Sequence, residues 1–215
     1  MGRNSEKDAV EMAAKNLRIL ESGFLLFARN GIEKVTMNDV ARAAGIAISS
    51  LYRYYSSKPK LVMAISTWAW SAYVEENEKR EAALVGPDRT AAEMFDFYLE
   101  RFVDLYRAHK DLLRFNQFFN IYQARGEISR EEMQPYLDMI HGLELRFGRL
   151  YRKAQEDGTL RTELSEREMF SAILHLMLAV ITRYAVGLVY NEEMSEEEVR
   201  MQKEMLMRRF IKEST

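Results

Sequence analysis

Apolar residues recur every three to four positions along almost the whole of this 215-residue chain, and little interrupts them. With 3 prolines and 10 glycines, long helices are affordable over most of its length. No convincing run of alternating apolar and polar residues competes for a strand. The spacing therefore predicts an all-α fold of about nine helices.

The first helix is predicted from about Ala9 to Asn30. Its inner stripe is read as Leu17, Leu20, Phe24, Phe27 and Ala28, with Ile19 and Leu25 beside it. Gly31 stands where a left-handed residue closes a helix. Thr36 then precedes a short helix with Asp39 at its third position, a capping box with aspartate in place of glutamate. Gly45 and a second short helix, Ile48 to Tyr55, complete a helix-turn-helix spacing. Ser57 and Pro59 open a fourth helix that runs toward Arg80.

The clearest break is Gly86-Pro87-Asp88. Further helices are predicted at 90–109, 110–125, 130–157, 165–190 and 195–213, separated by Gly126, Asp157-Gly158 and Asn191. Two domains are expected: an N-terminal three-helix helix-turn-helix head over residues 1–57, and a helical body over residues 58–215.

The absence of cysteine removes disulfides, thiolate metal sites and cysteine nucleophiles. His109, His141 and His175 are widely spaced, with no His-x-x-x-His pair, so neither a metal site nor a cofactor is expected. The N-terminal residues lack the apolar core of a signal peptide. The apolar stretch Met177 to Ile181 falls short of the roughly 18 residues of a membrane span. A soluble, cytoplasmic protein with no membrane partner is expected. The net charge of −2 hides an asymmetry: residues 1–60 carry 10 basic against 6 acidic groups, and the rest is acidic. A basic head on an acidic body suits nucleic-acid binding.

Within the helix-turn-helix, Val40, Ala41 and Ala44 share one helix face, where small residues allow a close crossing. Ile46 and Leu51 plug the corner. The third helix would then present Ala47, Ile48, Ser49, Tyr52 and Arg53 outward, where a recognition helix meets base edges. Arginine pairs with guanine, and Ala47 or Ile48 can pack on a thymine methyl.

The order Ile19-Leu20, Phe27-Ala28, Gly31, Thr36-Met37, Val40-Ala41, Ala44-Gly45-Ile46, Leu51-Tyr52-Arg53-Tyr54-Tyr55, Ser57-Lys58, Leu61 resembles the DNA-binding domain of the TetR (tetracycline-repressor-like) family. The resemblance implies phosphate contacts from Thr36, Tyr52, Tyr54 and Lys58. Where many relatives carry Ser-Lys-Gly-Thr, this chain has Ala47-Ile48-Ser49-Ser50, which implies an unusual operator. It also implies a ligand-responsive regulator, a repressor by expectation, whose partners are double-stranded DNA with a (pseudo)palindromic operator, a second copy as homodimer, and a small hydrophobic or aromatic effector.

The body is rich in Met and aromatic residues, which suit an adaptable apolar pocket as well as plain core. Tyr98, Phe102, Phe118, Tyr122 and His141 are the candidate effector lining. Phe170, Ile173, Leu174, Met177, Ile181, Tyr184 and Leu188 form a broad apolar face, and Val199, Leu206 and Phe210 add a second stripe. Together they are the candidate dimer interface, since two heads must sit about 34–36 Å apart to read successive turns of DNA. Two other readings stay open at this point. An enzyme or carrier would draw on Asp96, Glu100 and Asp104, which recur every four residues, although that row reads more simply as a solvated face. A protein-binding adaptor would leave the residue types between Thr36 and Lys58 unexplained.

Overall fold

The computed structural model describes residues 2–84, 89–126, 128–188 and 193–212. Among them run nine helices and no strand: α1 (Gly2–Asn30), α2 (Met37–Ala43), α3 (Ile48–Tyr54), α4 (Lys58–Leu84), α5 (Ala91–Ala108), α6 (Lys110–Ala124), α7 (Gln134–Asp157), α8 (Glu166–Ala185) and α9 (Ser195–Phe210). The fold is all-α, with an N-terminal helix-turn-helix followed by helical bundle elements. The breaks expected at Gly86-Pro87-Asp88 and Asn191 lie outside the described residues. Two compact units emerge, one of residues 1–72 with 114–136, the other of residues 73–113 with 137–215.

In the first unit, the inner face of α1 is Ile19, Leu20, Phe27 and Ala28, all buried. Gly23 lies on the same face because α4 passes closely there. A Cβ at that position would stand 2.5 Å from Ile65 Cδ1. Leu17 and Leu25, expected in or beside the stripe, are instead exposed by 44% and 40%. They sit two residues from Ile19 and Phe27, a helical rotation of about 200° that turns them outward. Gly31 ends α1 with φ at +81°, the left-handed conformation that a side chain would strain. Around this helix pack Val40, Leu51, Leu61, Phe115 and Phe119, each essentially inaccessible. Burial of side chains of this size stabilises by about 1.5–3 kcal/mol each, before the entropy of ordering them is deducted.

In the second unit α5 packs on α8 and α9, and these two pack on each other. The Phe95 and Phe210 rings meet edge to face at 5.8 Å. The buried Tyr106 hydroxyl donates to Ser195 Oγ at 2.7 Å. The residues after α7 tie several chain segments together. The Ala91 N–H donates to Asp157 Oδ2 at 2.7 Å and the Ala92 N–H to Thr159 Oγ1 at 3.0 Å. The Arg161 N–H reaches the Phe210 carbonyl at 2.7 Å, and the Lys212 N–H reaches that of Thr159 at 3.0 Å.

The sequence expectation that no segment is apolar enough to span a membrane needs one correction. Helix α8 meets that test by length and composition, with 33% of its apolar window buried inside the chain. Its run is apolar because one face packs within the second unit while Ala172, Leu176 and Ala179 point outward, so polarity does not alternate with the helical period.

Candidate nucleic-acid interface

The capping box at Thr36 sets the start of α2. The Asp39 N–H donates to Thr36 Oγ1 at 3.2 Å, while the Thr36 N–H and hydroxyl both donate to Asp39 Oδ2, at 2.9 and 2.6 Å. Hydrogen bonds from the Thr36 side chain and backbone hold the Asp39 carboxyl below its ordinary range, with smaller help from Arg42. Arg42 Nη2 lies 2.6 Å from Asp39 Oδ1 on the exposed side. Met37, Val40 and Ala41 turn inward. Gly45, at φ +67°, makes the corner, and the Ile46 N–H returns to the Ala41 carbonyl at 3.0 Å.

Helix α3 is a seven-residue helix anchored by one buried side chain, Leu51. Ala47, Ser49, Tyr52 and Arg53 are exposed around it. Ile48 is half-buried against the core, so its side chain is shared between packing and the outer surface. Arg53 Nη2 donates to Ser50 Oγ at 3.1 Å, which holds the guanidinium along the helix. The Tyr54 hydroxyl donates to the Met12 carbonyl of α1 at 3.4 Å. Lys58, the first residue of α4, sends Nζ to the Glu33 carbonyl at 3.3 Å and lies 6.0 Å from the centre of the Tyr122 ring. Thr36 is exposed at the start of α2. All eight residues expected to meet DNA therefore lie in the first unit, in a single span of 23 residues that includes both short helices. Hydroxyls, an ammonium and a guanidinium on rigid, short elements are the groups that position a duplex and read its edges.

Residues 19–65 match the family model described as bacterial regulatory proteins, tetR family. Over those residues the chain is similar to the TetR family. A stretch of 33 residues is 58% identical to MftR of Mycobacterium tuberculosis, named as a mycofactocin biosynthesis transcriptional regulator, and covers 15% of this chain and 17% of that relative. The match to this curated relative therefore spans well under two thirds of its length. A likeness of fold to solved regulators extends over nearly the whole chain. The fatty acid degradation regulator FadR of Bacillus halodurans superposes with a TM-score of 0.69, at 16% identity, over 90% of this chain and 94% of that one. FadR of Bacillus subtilis, solved with stearoyl-CoA, gives 0.70 at 16% identity over 89% and 97%. At such identities the likeness is one of fold.

The candidate effector residues fall in both units. Phe118 and Tyr122 pack in the first unit, where the Phe118 ring lies 3.6 Å from the place a Cβ on Gly31 would take. Tyr98 and Phe102 are half-buried on α5 in the second unit, and the Tyr98 ring meets Phe97 edge-on at 6.0 Å. His141 is exposed on α7, its Nδ1 3.4 Å from Glu144.

Of the candidate dimer residues, Ile173, Met177, Ile181, Val199, Leu206 and Phe210 are buried against the chain's own helices. Phe170, Leu174 and Tyr184 are half-buried, and Leu188 is exposed. The Tyr184 hydroxyl donates to Glu198. The outer faces of the same helices carry Leu176 (41% exposed), Met201 (53%) and Met205 (61%). Leu176 escaped the sequence reading because α8 is apolar around most of its circumference.

The acidic row on α5, read as a solvated face, is engaged in ion pairs. Lys203 of α9 lies 2.8 Å from Asp96 and 2.6 Å from Glu100, and Arg101 lies 2.7 Å from Asp104.

Proposed function

We propose that this chain is a ligand-responsive, sequence-specific DNA-binding regulator, a repressor released from a (pseudo)palindromic operator by a small hydrophobic or aromatic effector. The observation that carries the reading is the outward display of Ala47, Ser49, Tyr52 and Arg53 on a short helix whose inner side is fixed by Leu51. Thr36, Tyr52, Tyr54 and Lys58 would hold phosphates; Ala47, Ile48, Ser49 and Arg53 would read base edges. Residues 1–57 form the reading domain, and residues 58–215 bind the effector and a second copy. DNA in the cytoplasm is the natural partner of such a head.

Dimerisation rests on the exposed Leu176, Met201 and Met205, with half-buried Phe170, Leu174 and Tyr184 beside them. Single apolar side chains on a surface are ordinary, but a set on two adjoining helices marks an interface. The effector favours a state in which the heads no longer match successive turns of the duplex. Its preference for that state has to be worth a few kcal/mol to empty the operator. Tyr98 and Phe102, both on α5 of the second unit, are the first lining candidates to vary.

The deciding experiment is binding of the purified protein to DNA flanking its own gene, at several salt concentrations, beside a Tyr54→Phe/Lys58→Ala double variant. Tight binding that weakens with salt and is lost in the variant supports the reading. Equally weak, nonspecific binding by both proteins, followed by failure of a genome-wide selection to find any site, overturns it.

A further inference from the structure

Arg101, on α5 of the second unit, has a guanidinium that its neighbours only partly satisfy. Its Nη2 pairs with Asp104 Oδ2 at 2.7 Å, and the side chain is 16% exposed. The Phe97 ring lies under it, 4.6 Å from Cζ to the ring centre. Nε and Nη1 are buried and find no acceptor among the described residues.

Asp104 does not belong to Arg101 alone. Arg80 and Arg107 each approach it to 3.6 Å, although Arg80 also pairs with Glu76 at 2.9 Å and Arg107 with Glu196 at 2.5 Å. Arg101 is thus the member of this group with a single, shared carboxylate and unused donors. A buried cation with unused N–H groups is unfavourable for folding alone, and a nonpolar side chain would pack there without that penalty. The backbone beneath it is held as well: the Tyr73 hydroxyl donates to the Arg101 carbonyl at 2.9 Å. Burial pushes that phenol up to about 12, so it remains a neutral donor at physiological pH.

We propose that Arg101 binds the oxyanion head, carboxylate or phosphate, of an otherwise apolar effector, with the Phe97 ring holding the guanidinium plane and Tyr98 and Phe102 following along the same helix. Planar guanidinium groups match these oxyanions with paired, charge-assisted hydrogen bonds. The proposal rests on the effector reading above and narrows it from a hydrophobic molecule to an amphipathic anion.

The test uses the full chain and three probes with the same alkyl tail: decanoate, decyl phosphate and decanol. Calorimetric titration should show at least one anion binding about tenfold or more tightly than the alcohol. Arg101→Gln should abolish that preference and leave decanol binding within about twofold. In protein labelled with nitrogen-15 at arginine, the Arg101 Nε–H resonance should move with the preferred anion. This readout needs no variant, and Arg101→Lys serves if the glutamine form does not fold. The better anion separates a carboxylate from a phosphate head. A preference that survives Arg101→Gln with the Nε–H resonance unmoved overturns the proposal. So does an absence of anion preference. If decanol binds and releases operator DNA while both anions are ignored, the effector reading stands and the role of Arg101 falls. Operator binding with none of the three probes bound overturns the proposal too.

Discussion

The Tyr55 hydroxyl donates to Asn16 Oδ1 at 2.6 Å, which fastens the residue after α3 to the middle of α1. Leu51 is the one fully buried side chain of α3, with Ile48 half-buried beside it, so this bond and the neighbouring Tyr54–Met12 contact help set how the proposed reading surface is angled. Removing the hydroxyl in Tyr55→Phe should cost about 1 kcal/mol in chemical denaturation. Operator affinity should fall by more than that stability loss alone explains. Unchanged affinity at reduced stability would mean that the angle of α3 is set elsewhere.

Position and readout should separate by salt. Lys58→Ala should weaken binding to all duplexes similarly and lower the slope of log affinity against log salt by about one unit. Arg53→Ala should instead relax sequence preference at one base pair, by about 1–3 kcal/mol. Fluorescence anisotropy on matched and mismatched operators distinguishes the two.

The proposed dimer face lies outside the chain's own packing, so it can be broken without unfolding the protomer. Met205→Glu and Leu176→Glu should give folded monomers in sedimentation velocity, with operator affinity sharply reduced. Met177→Ala, at a fully buried position, should cost about 2–5 kcal/mol of stability through the cavity it leaves. Dimers that persist in both glutamate variants would place the interface elsewhere.

Gly31→Ala forces a side chain onto φ +81°. The penalty should be about 1–2 kcal/mol in thermal or chemical unfolding. The Phe118 ring, at 3.6 Å, is in ordinary contact with the new methyl, so backbone strain rather than collision sets the cost.

Acid should loosen the helix starts first. The carboxyls of Asp39, Glu93 and Glu168 are held below their ordinary values mainly by hydrogen bonds from Thr36, Thr90 and Ser165. A folded-state value below the unfolded one means a stabilisation fully present at neutral pH and lost as pH falls through the depressed values. Amide exchange, corrected for its intrinsic pH dependence, should show protection in the first turns of α2, α5 and α8 falling below about pH 4. Asp39→Asn should remove the pH dependence at α2 alone.

Much of this was legible locally. Thr36 and Asp39 announce a capping box three residues apart, and Gly31 and Gly45 stand where left-handed corners are needed, because those devices are closed within a few residues. The family pattern around them led to the DNA-facing set proposed above. What depends on distant partners was not readable. Asp96 and Glu100 read as a solvated face until Lys203, a hundred positions on, arrives beside them. Periodicity says that α8 has an apolar circumference and cannot say which arc the chain uses itself. Hence Met177 and Ile181 appeared as surface for a partner, while Leu176 passed unnoticed. The spare donors of Arg101 were equally invisible, since an arginine in sequence carries no record of what it lacks.

The corner at Thr159 also bears on how the second unit comes together in time. The start of α5 depends for its first N–H partners on Asp157 and Thr159, and the Thr159 carbonyl in turn accepts from Lys212, just past the end of α9. Segments separated by more than half the chain thus meet at one point. Such closure makes contacts of high sequence separation obligatory, and these are the contacts that slow folding. The second unit should therefore form late and as a block, with no short stretch able to hold its native shape while the remainder is still unfolded.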